Sequence, residues 1–323
     1  MKHITKSLFL KGVWISLSMI AIGIIAGCTS GFAEPFDISN IYYNYTTVSD
    51  SDGKYIMITK HLVSQSDVRI PDNIYGVPVR KIDDSVFAGD KKIKSVTFGK
   101  NMRYIGSNAF GNCPNLQSVT LNVSMSDIGE YAFKECTALQ SVSLPEHLES
   151  VGRGAFYGCT SLSEITVPQG IKRIGGRALS NTAWLNGLSN QEFVILGDGI
   201  LIAYNGNKEE VKLPKNIKQI SGAFAGNTIL KGIRFRGEVE SIGDMAFMGC
   251  SSLNEVDIPA SVTEIGGNAF YGCTSIEKLI IPANAEYIGP DAFTNCRAAL
   301  FVKEDSYAEK YCAENGLDCF SSK

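Results

Sequence analysis

Histidine is scarce in this chain: His3, His61 and His147 are the whole complement of 323 residues, beside only two tryptophans. Acid–base chemistry near neutral pH leans on that side chain. The sequence also holds no H-E-x-x-H, G-x-S-x-G, P-loop or dinucleotide fingerprint. Its nine cysteines never fall as C-x-x-C, which removes the usual zinc spacing. No basic run is present and the net charge is −3, whereas phosphate backbones demand clustered Lys and Arg. The "DSDG" at 50–53 lacks the rest of a calcium loop and reads as a hairpin turn. Glu209 and Glu210 read as solvated surface. The expectation is a protein that binds rather than catalyses, with no metal, no cofactor and no nucleic-acid partner.

Long hydrophobic runs are missing as well. The apolar stretch from about Val13 to Ala26 is shorter than the roughly 20 residues a spanning helix needs. It follows Lys2, Lys6 and Lys11 and ends in small residues, the pattern of a secretory signal. Ile25, Ala26, Gly27 and Cys28 resemble a bacterial lipobox, which implies cleavage before Cys28 and a lipid on it. Residues 1–27 would then be a signal and 28–40 a tether. Loss of three lysines and no acid moves the charge from −3 to about −6.

What the chain has in abundance is one phrase. "IGGNAFYGCTSIEKLIIP" at 265–282 is echoed by "IGDMAFMGCSSLNEVDIP" and "VGRGAFYGCTSLSEITVP". Its first apolar letter falls at Ile82, Ile105, Ile128, Val151, Ile174, Ile220, Ile242, Ile265 and Ile288, with gaps of 22 or 23 and one of 46. A fixed period of this length is the mark of stacked coils. Within a coil, Ala132 and Phe133 belong to a short helical or tight-turn segment. Val142 and Leu144 alternate as in a strand with one buried face, and Pro145 ends it. The glycine after the first isoleucine suggests a tight or positive-φ turn. A coil of this length cannot bury enough to stand alone, so neighbours must complete its core.

The phrase I-G-x-x-A-F-x-x-C-x-x-L-x-x-V-x-L-P resembles the repeat of the BspA-like bacterial leucine-rich-repeat surface proteins, over about residues 40–320. The expected architecture is an α/β solenoid, a right-handed stack of coils of about 23 residues. Parallel strands would line one face and short helical turns the other. Residues 41–81 look like the family's β-rich N-terminal cap, 82–302 form the stack, and 303–323 close it. Ser306 with Glu309 reads as a capping box and Gly316 as a helix stop. An insertion at about 186–209 reads as a β-hairpin turning at "GDG". The resemblance implies adhesion to a host or neighbouring-cell protein, extracellular-matrix components included.

Cys113, Cys136, Cys159, Cys250, Cys273 and Cys296 share the ninth place of the phrase, held elsewhere by Asp90, Thr182 and Asn227. Residues that swap with Asp, Thr and Asn need only hydrogen-bond a nearby backbone group, so a structural column is expected. Stacked neighbours lie within disulfide reach by distance, and that alternative stays open, as does a bridge between Cys312 and Cys319.

Outward-pointing strand residues form columns along what is expected to be the concave sheet. Thr97, Thr120, Ser143 and Thr166 make a hydroxyl surface, and Lys212, Arg234 and Asp257 a charged one. These are the first candidate partner contacts. The hairpin from Phe193 to Tyr204 is the second, since insertions on rigid scaffolds often carry recognition. Tyr131, Tyr157 and Tyr271 fall on the turn side, where packing between coils is expected. A lipid-anchored adhesin is the leading reading. An envelope scaffold and a glycan-binding lipoprotein are the alternatives, the last weakened by columns without aromatic platforms.

Overall fold

The computed structural model describes residues 7–10, 13–16 and 42–321. Residues 7–10 and 13–16, inside the expected signal segment, pair as a two-stranded antiparallel ribbon, in a unit separate from Ser39–Lys323. Cys28 and the tether lie outside the described residues. Everything below concerns the second unit.

Each coil has three sides. The first carries a short strand: Ser95–Thr97, Ser118–Thr120, Ser141–Ser143 and Glu164–Thr166 pair in parallel, following Asp67–Arg69. The second carries a two-residue strand: Tyr104–Ile105, Asp127–Ile128, Ser150–Val151 and Arg173–Ile174 pair likewise. The third side is the "AF" turn, and it too is a ladder. Phe110 N–H donates to the Ala132 carbonyl at 2.8 Å and Phe133 N–H to Ala155 at 2.7 Å. Backbone groups on all three sides thus find partners one coil away, and tight turns such as Ala132 N–H to the Gly129 carbonyl pair others within the coil.

The turn side is not helical. Each coil places two left-handed residues four apart, such as Asn108 and Asn112 (φ 55° and 59°) or Tyr131 and Glu135 (56° and 57°). The α-helices of this unit lie outside the repeat, at Ala183–Gly187 and Tyr307–Glu314. The positive-φ expectation for the phrase glycine is also corrected. Gly106 keeps an ordinary φ, but a Cβ there would stand 2.6 Å from the Asp83 carbonyl carbon of the preceding coil. Glycine is required because the coils close on one another at that corner.

Inside, apolar residues stack like on like. Phe87, Phe110, Phe133 and Phe156 form one ring column with centroids 4.7 to 5.4 Å apart. A second runs Phe224, Phe247, Phe270 and Phe293 at 5.4 to 5.9 Å. The hairpin Tyr43–Asp50 and Gly53–His61 seals the N-terminal end, with the His61 ring 4.6 Å from Phe87. At the other end Tyr311 of the closing helix meets Phe293 edge-on, and its hydroxyl donates to the Gly289 carbonyl. The Ser306 hydroxyl caps that helix, accepting from Glu309 N–H, and Gly316 stops it with a φ of 64°.

The 46-residue gap is filled by a substitute coil. Strands Phe193–Leu196 and Ile200–Tyr204 form the hairpin, and the second pairs in parallel with Gln219–Ile220. Tyr204 places its ring 5.1 Å from Phe224, continuing the aromatic column. No ladder joins the hairpin to Arg173–Ile174, so both sheets break there. The Ile174 carbonyl, left without the usual glycine N–H, instead accepts from the Ser221 hydroxyl. Ser221 stands where other coils have the phrase glycine.

Candidate partner-binding surfaces

The three-residue strands expose the residues expected of them. Thr97, Thr120, Ser143, Thr166, Lys212 and Arg234 are exposed, and Asp257 is exposed just past Glu255–Val256. Their neighbours Val96, Val119, Val142, Val211 and Ile233 are buried, as alternation requires. The hydroxyl and charged stretches belong to different sheets of five and three strands, because the hairpin separates them. Arg234 lies 3.9 Å from Glu255 across the second.

Tyr204 is a correction. It is 8 % exposed, stacked in the ring column, with its hydroxyl accepting from Lys208 N–H. Phe193 is half-buried, its ring 5.3 Å from that of Tyr204. The insertion that looked like a recognition loop supplies core in place of a missing coil.

The ninth-place cysteines clip consecutive coils together. Cys113, Cys136, Cys159, Cys250 and Cys273 donate to the carbonyls of Phe87, Phe110, Phe133, Phe224 and Phe247 at 3.1 to 3.2 Å. Burial pushes the thiols up, Cys113 to about 11 and Cys159 and Cys250 to about 12. Thr182 instead donates to Leu179 and caps the Ala183–Gly187 helix, while Asn227 accepts from Ile229 and Leu230 N–H. Cys296 is half-buried, and all eight described cysteines are free. Cys312 lies against Cys319, unbridged.

The hollow lies on the other side from the one expected. Residues of coils from Asp127–Ile128 to Tyr287–Ile288 line a single cavity of about 720 Å³ on the two-residue ladder. A second of about 500 Å³ adjoins it through Arg173, Gln219, Thr263 and Glu264. The stack therefore curves inward on this ladder rather than on the three-residue strands. At the break by the hairpin Gly176 comes directly against the Asp244 carbonyl.

Charge is concentrated in that hollow. Arg153 donates to Glu130 at 2.8 Å. Asp244 accepts from Gly267 N–H at 2.8 Å, yet burial holds its carboxyl above the usual range, against the pull of Arg153. Glu264 is likewise raised by burial and drawn back by Arg173. Neither acid has a cation within ion-pair distance among the described residues. These residues were not singled out from sequence. The signal was there: "IGE", "VGR" and "IGD" vary a charged letter beside an otherwise repeated one.

Among curated proteins none matches this sequence. The sequence profile described as the BspA type leucine rich repeat region matches six copies over residues 63–194 and 203–309. Among solved structures, a leucine-rich-repeat protein of T. pallidum is similar at 24% identity, with 73% of this chain and 88% of that one covered and a TM-score of 0.45. The pneumococcal vaccine antigen PcpA is similar at 19% identity over 80% and 81%, TM-score 0.39. A leucine-rich cell surface protein from Faecalibacterium prausnitzii A2-165 is similar at 21% identity over 92% and 100%, TM-score 0.34. At these values the likeness says nothing of a shared partner.

Proposed function

The chain belongs to the BspA-type leucine-rich-repeat family, whose members are typically cell-surface proteins, and on that footing we propose that it is a lipid-anchored surface protein that grips a protein partner. The lipobox-like run ending at Cys28 supports the anchor. No helix among the described residues is long and apolar enough to cross a membrane.

The hollow carries the reading. Half-buried carboxylates without an ion pair destabilise a fold. The fold does not need them, since Gly267 fills the Asp244 position one coil on and Ser241 the Glu264 position one coil back. Their cost is offset if a partner brings a lysine or arginine between Asp244 and Glu264. The exposed hydroxyl column of Thr97, Thr120, Ser143 and Thr166 offers a second, flatter contact.

Two measurements test this. Protease shaving of intact cells should remove the protein, and Cys28→Ala should release it from the membrane fraction. Resistance to shaving with digestion after lysis would replace adhesion by an inward-facing scaffold. Capture of matrix proteins by the purified chain should weaken about tenfold or more in Glu264→Lys; unchanged capture would remove the hollow from the contact.

A further inference from the structure

A smaller recess on the turn side adjoins the hollow, with Arg153 lining both. It has a volume of about 240 Å³ and is lined by Tyr131, Tyr157, Lys134, Arg153, Arg177 and Met245, with Gly154 and Gly176 between them. Three cations and no carboxylate line it. The Arg177 guanidinium lies 4.9 Å over the Tyr157 ring, and Arg153 and Lys134 each lie 5.7 Å from the Tyr131 centroid. Arg153 is tied to Glu130. Lys134 and Arg177 have no ion-pair partner among the described residues. The turn-side tyrosines thus hold cations in place, beyond the packing between coils expected of them.

Backbone geometry adds a second observation. Tyr131, Arg177 and Met245 are left-handed, at φ 56°, 58° and 55°. Other coils fill that turn position with Ser85, Asn108, Gly154, Asn268 or Asp291, also at positive φ. Short polar residues and glycine tolerate this backbone, while long side chains there are costly. At this turn position the three long side chains all line this one recess, whereas the other long residues at positive φ, Tyr75 and Glu135, stand at different positions. Folding alone would favour asparagine at each. Strain retained at one spot, with long side chains converging there, points to a use for those side chains.

We propose that this recess binds a sugar residue carrying an oxyanion, as carboxylate or sulfate ester. The anion would sit against Lys134 and Arg177, and the pyranose ring against Tyr131 and Tyr157. An acidic peptide side chain would fill only a corner of the volume; a pyranose with its charged substituent fills it. The site revives sugar recognition away from the strand columns, and Lys134 and Arg177, which hold the anion, do not line the hollow.

The test is retention of the full chain on beads bearing a glucuronate oligosaccharide, a sulfated neutral oligosaccharide, neutral dextran or polyglutamate. Retention is expected on the first, the second or both, should fall with added salt, and should be absent on dextran. Arg177→Asn and Lys134→Gln should each weaken it at least about tenfold, where charged contacts dominate recognition. Arg177→Asn should leave the melting temperature unchanged or raise it, because asparagine suits the left-handed backbone. Retention on neither charged sugar overturns the proposal, as does equal retention on dextran. Retention on polyglutamate alone would make the site one for acidic peptide and overturn the sugar. Arg177→Asn that melts lower yet binds as before would make Arg177 structural, with the same consequence.

Discussion

At the scale of the residue, two kinds of glycine look alike in the sequence and differ in cause. Gly106 is excluded from bearing a side chain by the Asp83 carbonyl of the coil beneath it. Gly272 has open surroundings, with the nearest atom 3.7 Å from an added Cβ, and a φ of 71°. Gly106→Ala should therefore cost about 1–3 kcal/mol, since backbone must move to admit it. Gly272→Asn should be nearly neutral, as Asn112, Asn181 and Asn295 already hold that turn position at positive φ. Urea midpoints of the two variants check the contrast. The cysteine column makes a prediction about pH. A thiol whose folded pKa is raised above the ordinary 9.0 is held neutral by the fold. Its contribution is complete below pH 9 and is lost as pH climbs toward about 11 for Cys113 and about 12 for Cys159 and Cys250. The slope reaches about 1.4 kcal/mol per pH unit for each thiol. Melting temperature should drop between pH 8 and 10.5, and Cys159→Ala, though less stable at pH 8, should show a shallower drop.

At the scale of the element, the hairpin is a coil in disguise, and Ser221 is its joint. Every other full coil from Ile105 on has glycine after its first apolar residue, so Ser221→Gly restores the repeat. It should nonetheless destabilise the protein by about 1–3 kcal/mol, because the Ile174 carbonyl would then be buried without a donor. A stability equal to or above the parent's would show that water or a backbone shift serves that carbonyl instead. The regular coils were legible in the sequence because Ile128, Ala132, Phe133, Leu139 and Val142 recur with one period and each letter has one environment. Tyr204 was not legible as core. It sits in a gap where no phrase is present, and its place in the phenylalanine column depends on a turn at Gly197 and Gly199 rather than on spacing. The hollow was hidden for a different reason. It is lined by residues far apart in the sequence, from Asp127 to Tyr287, and no single letter encodes their approach. Glu130, Arg153 and Asp244 were visible as variable charges, but not as neighbours.

At the scale of the molecule, the hairpin divides one stack into two cores. Along Ile200–Tyr204, Ile200 and Ile202 pack with the N-terminal cluster, while Leu201 and Tyr204 pack with the C-terminal one. The first strand alternates too: Val194 and Leu196 serve one side, Phe193 and Ile195 the other. Toward the C-terminal half the hairpin is bonded as well as packed, with Ser221 N–H donating to the Leu201 carbonyl at 2.8 Å and Tyr204 N–H to Ala223 at 3.1 Å. Toward the N-terminal half no strand ladder joins it, and apolar contact carries most of the coupling. A linear stack unfolds as one unit only while each neighbour interface is strong relative to the coils it joins. The parent should therefore melt in a single transition that depends on this interface. Ile202→Ala removes apolar contact from its weaker side and should split the transition in two, the N-terminal half melting first or last but apart. Leu253→Ala, fully buried inside the C-terminal stack, should lower stability by a comparable amount, about 2–5 kcal/mol, without dividing the transition around the hairpin. Differential scanning calorimetry of the two variants separates the outcomes. Two identical single transitions would mean that the halves are coupled by more than the hairpin, with the direct contact of Gly176 on Asp244 the first place to look.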